Sequence, residues 1–187
     1  MSHTFTNMRK KYEIKISIPE EISCKTEGKK INCTRGNTSI FRNIFQSNIS
    51  VSVSGNDIVL GCAKSNKKDV ANIHAHVAHL KNMFLGLKDS FLYELEICNV
   101  HFPMTVKVDG RKVMITNFLG EKVSRSAKIV EGVNVKVDGS KVVVSSVDIE
   151  KAGQTAANIE KAARVTKKDR RIFQDGIFIT KKPEVVL

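Results

Sequence analysis

The sequence predicts an α+β protein of two tandem, duplicated small domains, each an antiparallel or mixed β-sheet packed against one main helix. Three observations carry that prediction. Short runs of alternating apolar and polar residues are separated by Gly-containing turns, the signature of half-buried strands and hairpins. In each half, one long stretch switches to apolar spacings of three and four. The layout also recurs: Val70 and Ala152 lie 82 residues apart, as do Val77 and Ile159, while Gly55 and Gly139 lie 84 apart. A chain of 187 residues with 41% hydrophobic content can bury two such cores, and we place the division at residues 1–90 and 91–187.

In chain order, Tyr12 to Ile18 alternates apolar with polar, and Pro19 ends it. Glu27-Gly28 marks a hairpin before Lys29 to Cys33, and Thr38 to Ile44 supplies another strand. Val51 and Val53 alternate with serines up to Gly55-Asn56, and Ile58-Val59-Leu60 returns as the partner. Val70, Ile73, Val77, Leu80, Phe84 and Leu87 then form one helical stripe, with Ser65 or Asn66 as cap and Gly86 weakening its end. In the second half Leu92 to Ile97 is a strand and His101-Phe102-Pro103 a break. Val106-Lys107-Val108-Asp109-Gly110-Arg111-Lys112-Val113 matches Val135 to Val142 at seven of eight positions. Both read as hairpins in which Asp-Gly supplies the positive φ angles of a two-residue loop. Ile149, Ala152, Ala156, Ile159 and Ala163 make the second helical stripe, capped by Asp148 or Ser146. Asn117-Phe118-Leu119-Gly120 reads as a strand ended by glycine.

The charge points to the partner. The net charge is +12 with a pI near 9.6, which argues for nucleic acid, an anionic membrane or an acidic protein. Nucleic acid is favoured because no amphipathic basic helix stands out, and no apolar run approaches the roughly 20 residues of a membrane span. The first eleven residues hold no apolar signal core, so a reducing intracellular compartment is expected. Half of the net charge sits between Lys161 and Lys182, where eight Lys or Arg face two Asp. Strong cations, two aromatic rings, an Asp-Gly pair read as a turn and a further pair of cations suit a polyanionic surface. A second basic segment, Lys107 to Lys128, holds six Lys or Arg against Asp109 and Glu121.

Other chemistries find little support. His74, His76 and His79 form H-x-H-x-x-H, but on a helix His74 and His76 sit about 200° apart and cannot converge on one ion. A solvated or RNA-facing helix flank is the plainer reading, so no metal site is expected. Cys24, Cys33, Cys62 and Cys98 include no C-x-x-C pair and read as structural thiols. Carboxylates are scattered with no pair marked for acid–base work, and neither a phosphate-cradling loop nor G-x-S-x-G occurs. No enzyme activity and no cofactor are expected.

Asn117-Phe118-Leu119-Gly120-Glu121-Lys122, His101-Phe102-Pro103, Asn82-Met83-x-x-Gly86 and Lys168-Asp169-x-Arg171-x-Phe173-x-Asp175-Gly176-Ile177 together resemble the universal large-subunit ribosomal protein L-six family, numbered L-nine in eukaryotes. These motifs extend over about 100 residues in the family's order. The chain is similar to the archaeal and eukaryotic branch, with Gln174 where a leucine is usual and Phe178 where a tyrosine is usual. The resemblance implies a non-catalytic subunit of the large ribosomal particle whose second domain meets ribosomal RNA near the sarcin-ricin region, where translational GTPases dock. It implies neighbouring large-subunit proteins as partners and a cytoplasmic ribosome as location, with nuclear or nucleolar assembly in a eukaryote. The RNA contacts it implies are Lys167, Lys168, Arg170, Arg171, Phe173, Gly176, Lys181 and Lys182, supported by Lys122 and Arg125. A free-standing basic RNA chaperone or adaptor is the competing reading.

Overall fold

The computed structural model describes residues 10–183, which divide into two compact units at Lys88 and Asp89. The first holds β1 (Lys10–Ser17), β2 (Ser23–Glu27), β3 (Lys30–Arg35), β4 (Thr38–Asn43), β5 (Ser50–Ser54), β6 (Asp57–Ser65) and α1 (Lys67–Lys88). The second holds β7 (Phe91–Cys98), β8 (Thr105–Asp109), β9 (Lys112–Thr116), a 3-10 turn (Phe118–Gly120), β10 (Arg125–Lys128), β11 (Asn134–Asp138), β12 (Lys141–Ser146), α2 (Ile149–Ala162) and β13 (Gly176–Lys181).

The duplication is topological. The first unit orders its strands β1-β6-β5 and β2-β3-β4. The second repeats this as β7-β12-β11 and β8-β9-β10, then adds β13 outside β7. Every described ladder is antiparallel. Each unit therefore carries two small sheets where the sequence suggested one. The helix serves both: α1 packs on β1 and β6 and also on β3 and β4, and α2 packs on β7, β12 and β13 and also on β10. A sheet must bury its apolar face against another layer, and sharing a helix lets both sheets bury theirs.

Three hairpin turns, at Gly28, Gly110 and Gly139, start one residue later than the expected loops, while Gly55-Asn56 is the loop expected. Gly28, Gly36, Gly55, Gly110 and Gly139 each occupy the first of two loop positions with φ between 53° and 62°, while the residue after each has negative φ. Positive φ at the first central residue alone defines the type II′ turn, which needs glycine there. Asp109 and Asp138 accordingly end strands β8 and β11, paired with Lys112 and Lys141, and do not enter the loops.

In the first unit Ile31, Ile49, Ile58, Leu60, Ile73 and Leu80 are fully buried. Asn66 caps α1 reciprocally: its Oδ1 accepts from the Asp69 amide at 2.8 Å, and Asp69 Oδ2 accepts from the Asn66 amide at 3.0 Å. On the stripe, Val70 and Val77 are only half-buried, and His76 takes a buried position. Its Nε2 is hydrogen-bonded to Gln46 Oε1 at 2.7 Å. Burial, then the neighbouring Arg42 and His79, pushes its pKa down. The expected solvated flank thus holds for exposed His74, bonded to Tyr12 Oη at 2.9 Å, and fails for His76, which faces the loop after β4. The Asn66 cap has a measurable share in stability: Asn66→Ala lowers the unfolding free energy by about 1 kcal/mol, read as a lower urea midpoint at unchanged m-value.

Candidate nucleic-acid interface

The site is built at the C-terminal end of α2. Asp148 caps the other end, accepting from the Glu150 amide at 2.9 Å, and Ala152, Ala156 and Ile159 bury the inner face. A helix C-terminus leaves carbonyls unsatisfied and attracts cations. Arg125, at the start of β10, supplies the missing donors: its Nη1 donates to the carbonyls of Ala162 at 3.0 Å and Arg164 at 2.9 Å. Its Nε and Nη2 reach both oxygens of Glu121 at 2.8 and 2.6 Å, and its guanidinium lies 4.1 Å from the Phe118 ring centroid.

This one side chain accounts for Phe118 and Glu121 of the Asn-Phe-Leu-Gly-Glu-Lys motif. Phe118 is buried, and Asn117, Leu119 and Gly120 all have positive φ, so the segment following β9 is an irregular tight turn. The expected glycine-terminated strand ends earlier, at Thr116. Asn117 Nδ2 holds the Pro103 carbonyl at 2.8 Å, and Gly120 leaves its free side to the Phe102 ring. The turn presents Glu121 to Arg125, whose hydrogen bond holds that carboxyl below its usual range, with the Arg125 and Lys168 charges adding to the effect.

Beyond Ala163 the chain runs irregularly to Asp175. Lys167, Lys168, Arg170 and Arg171 are exposed, and Lys167 has a positive φ of 59°. Asp169 organises the turn: its carbonyl accepts from the amides of Ile172 and Phe173, and its carboxylate from the amide and guanidinium of Arg171. The Phe173 ring packs on the core of this unit, stacks on His101 at 4.8 Å between centroids, and has Lys168 Nζ 4.3 Å from its centre. Of the two roles open to Phe173, anchor or base-stacking platform, its packing supplies the anchor.

Asp175 and Gly176 are not a turn, and here the structure corrects the sequence reading. Asp175 is 2% exposed and nearly encircled by donors. Its Oδ1 accepts from the Val100 and His101 amides at 2.8 and 3.0 Å, and its Oδ2 lies 2.6 Å from His101 Nδ1. Burial works against ionisation, but the bonds from His101 and Val100 outweigh it and hold the carboxyl below its ordinary range. Gly176 is buried as the first residue of β13, and a Cβ there would lie 2.8 Å from the Phe178 ring. It makes room for that ring and does not open the backbone to a ligand.

A groove of about 770 Å³ results, lined by Arg125, Lys161, Arg164, Lys167, Lys168 and Arg170 with no carboxylate among its walls. Lys161 and Arg164 escaped the sequence-derived set, although their spacing of three at the helix end marks them as neighbours on one flank. Lys122 is exposed in the segment after Glu121. Arg125 belongs to the wall but spends its donors on the protein, so it positions the groove. Lys181 and Lys182 lie elsewhere. Lys181 ends β13 and Lys182 follows it, roughly 16–17 Å along the strand from Gly176, and Lys181 pairs with Glu94 at 3.5 Å. The two cation clusters therefore sit at opposite ends of a strand and do not flank a single loop.

Asp175 is the anchor most open to test. Asp175→Ala costs about 3 kcal/mol, because three donors lose a buried acceptor. A carboxyl with a depressed folded pKa stabilises fully above its unfolded value, near 4, and loses that contribution as pH falls through the folded one. The gap in unfolding free energy between wild type and variant should be widest near neutral pH and close progressively below about pH 4.

Among the described residues, no helix is long and apolar enough to cross a membrane. The family model described as Ribosomal protein L6 matches residues 102–176, the segment from Phe102 through the buried Asp175–Gly176 pair. The large ribosomal subunit protein uL6 of Haloarcula marismortui is 39% identical over 170 residues, covering 91% of this chain and 96% of its own. That of Saccharolobus solfataricus is 41% identical over 168 residues, covering 89% and 93%, and that of Haloquadratum walsbyi 39% over 173, covering 90% and 95%. With two-fifths of its positions shared along nearly the full length of these relatives, the chain belongs to the L6 family of ribosomal proteins.

Proposed function

We propose that the protein is a non-catalytic constituent of the large ribosomal subunit that lays the groove at the end of α2 on ribosomal RNA. The observation that carries this reading is a wall of six cations without a carboxylate, four of them on a loop pinned at its ends by Arg125 and Asp175. Folded RNA is recognised mainly through shape and phosphates, and a fixed array of Lys and Arg suits that mode better than base readout. Lys167, Lys168, Arg170 and Arg164 supply the charge, with exposed Lys122 in support and Lys181 and Lys182 as a separate contact further along. Arg171, held by Asp169 yet 90% exposed, can exchange that carboxylate for a phosphate. The family relationship supports ribosomal RNA near the sarcin-ricin region as the ligand, with neighbouring large-subunit proteins and, close by, translational GTPases as partners.

Two measurements test this. Binding to large-subunit RNA should weaken with salt, with a log–log slope of roughly −3 to −5 for about five neutralised phosphates. Replacing Lys167, Lys168 and Arg170 with Ala should flatten that slope by about 2 to 3, whereas Lys67→Ala with Lys68→Ala should leave it near wild type. Equal losses from the two sets would mean that total charge, and not this groove, binds. In cells, the protein should stay with large subunits through a high-salt wash. Release under that wash would identify a free-standing RNA chaperone or adaptor instead.

A further inference from the structure

We propose that Cys24 and Cys33 are a redox modification site, a cross-strand dithiol on the β2–β3 hairpin that hydroperoxides convert reversibly to a disulfide. The hairpin closes at Glu27 and Lys30 around a two-residue loop, so Glu27↔Lys30 is a hydrogen-bonded pair. Pairs alternate from there, which makes Thr26↔Ile31 and Cys24↔Cys33 non-hydrogen-bonded. At such positions Cα atoms lie about 4.5 Å apart, at the short end of the range of roughly 4.4–6.8 Å that a disulfide spans. Residues directly opposite also share a face, so the two side chains lie next to one another.

The pair is asymmetric in the way a peroxide-reactive site requires. Cys24 is half-buried and reachable, while Cys33 is completely buried. Its hydrogen bond to Cys33 pulls the Cys24 pKa down against the effect of burial, and the same bond, then burial, pushes Cys33 up. Cys24, the reachable member, is thus the attacking thiol and buried Cys33 the one that resolves. The Cys24 sulfur attacks a peroxide oxygen, the O–O bond breaks, and the alkoxide leaves as an alcohol after taking a proton. The sulfenic acid so formed is attacked by the Cys33 sulfur; an S–S bond replaces the S–O bond, and hydroxide departs with the Cys33 proton as water. Two thiols lose two hydrogens, and the peroxide is reduced to alcohol and water. Exposure of Cys24 admits a thiol reductant for the reverse exchange.

Cys98 serves as an internal control. It is half-buried like Cys24, but it faces Gly176 across the β7–β13 ladder, and burial with the charges of Glu96 and Asp175 pushes its thiol up. The reduced full-length protein is treated with hydrogen peroxide, alkylated and mapped by peptide mass spectrometry. The expected product is a Cys24–Cys33 disulfide within one chain, formed at least about tenfold faster than Cys98 is oxidised and reversed by dithiothreitol. Cys33→Ser should instead accumulate a dimedone-reactive sulfenic acid at Cys24. Cys33→Ala should do the same without placing a hydroxyl in the buried site. Oxidation of Cys98 ahead of Cys24, a disulfide between chains, or alkylatable thiols at 24 and 33 after Cys98 has reacted would each overturn the assignment.

Discussion

In each unit an arginine from the smaller sheet closes the C-terminal end of the helix. Arg35 donates to the carbonyls of Leu87 and Lys88 and pairs with Glu21 at 2.5 Å; Arg125 donates to those of Ala162 and Arg164 and pairs with Glu121. The planar guanidinium suits this task because its forked donors serve carbonyls and a carboxylate together, which a lysine ammonium cannot reproduce. Since the helix is shared by two sheets, this contact also ties the small sheet to the main one. In the second unit it does more, for the chain leaving α2 is the one that bears the cations.

A concentration of like charges is costly to hold in place, and the way it is held reveals which groups are structural. Arg125 and Asp175 have their hydrogen-bonding capacity met by the protein, and Asp175 is fully enclosed. Lys167, Lys168 and Arg170 stand in solvent, where water screens their mutual repulsion. Lys168 gains a place over the Phe173 ring and lies within reach of the Glu121 charge, so even this exposed lysine is oriented. Fixing the orientation in advance reduces the entropy lost when the groups meet a polyanion.

Strands and helices were legible in the sequence because their periods are local. Both caps and four of the hairpins lie where alternation and turn glycines put them; the loops after Glu27, Asp109 and Asp138 start one residue later than read because the type II′ turn takes Gly first, while Gly55-Asn56 lies as read and the Gly36-Asn37 hairpin was not foreseen. The division of each domain into two sheets was not legible, since strand pairing beyond a hairpin leaves no short-range trace. The roles of individual charged residues were legible only in part. Arg125 and Lys122 look alike in a charge count, yet one closes a helix and the other faces water. Asp175-Gly176 has the composition of a turn. Only the distant His101 and Val100 reveal it as a buried anchor. Likewise, Cys24 and Cys33 are unremarkable in spacing until the hairpin register sets them side by side.

Strand β13 is what the second copy adds to the duplicated plan. It hydrogen-bonds to the flank of β7, and the corresponding flank of β1 has no described partner strand. An uncovered strand flank is a template on which other chains can pair, and a strand laid along it removes that template. The segment that carries cations at both of its ends therefore also covers the flank of β7. A truncation that removed β13 but spared every cation of the groove would leave that flank of β7 open.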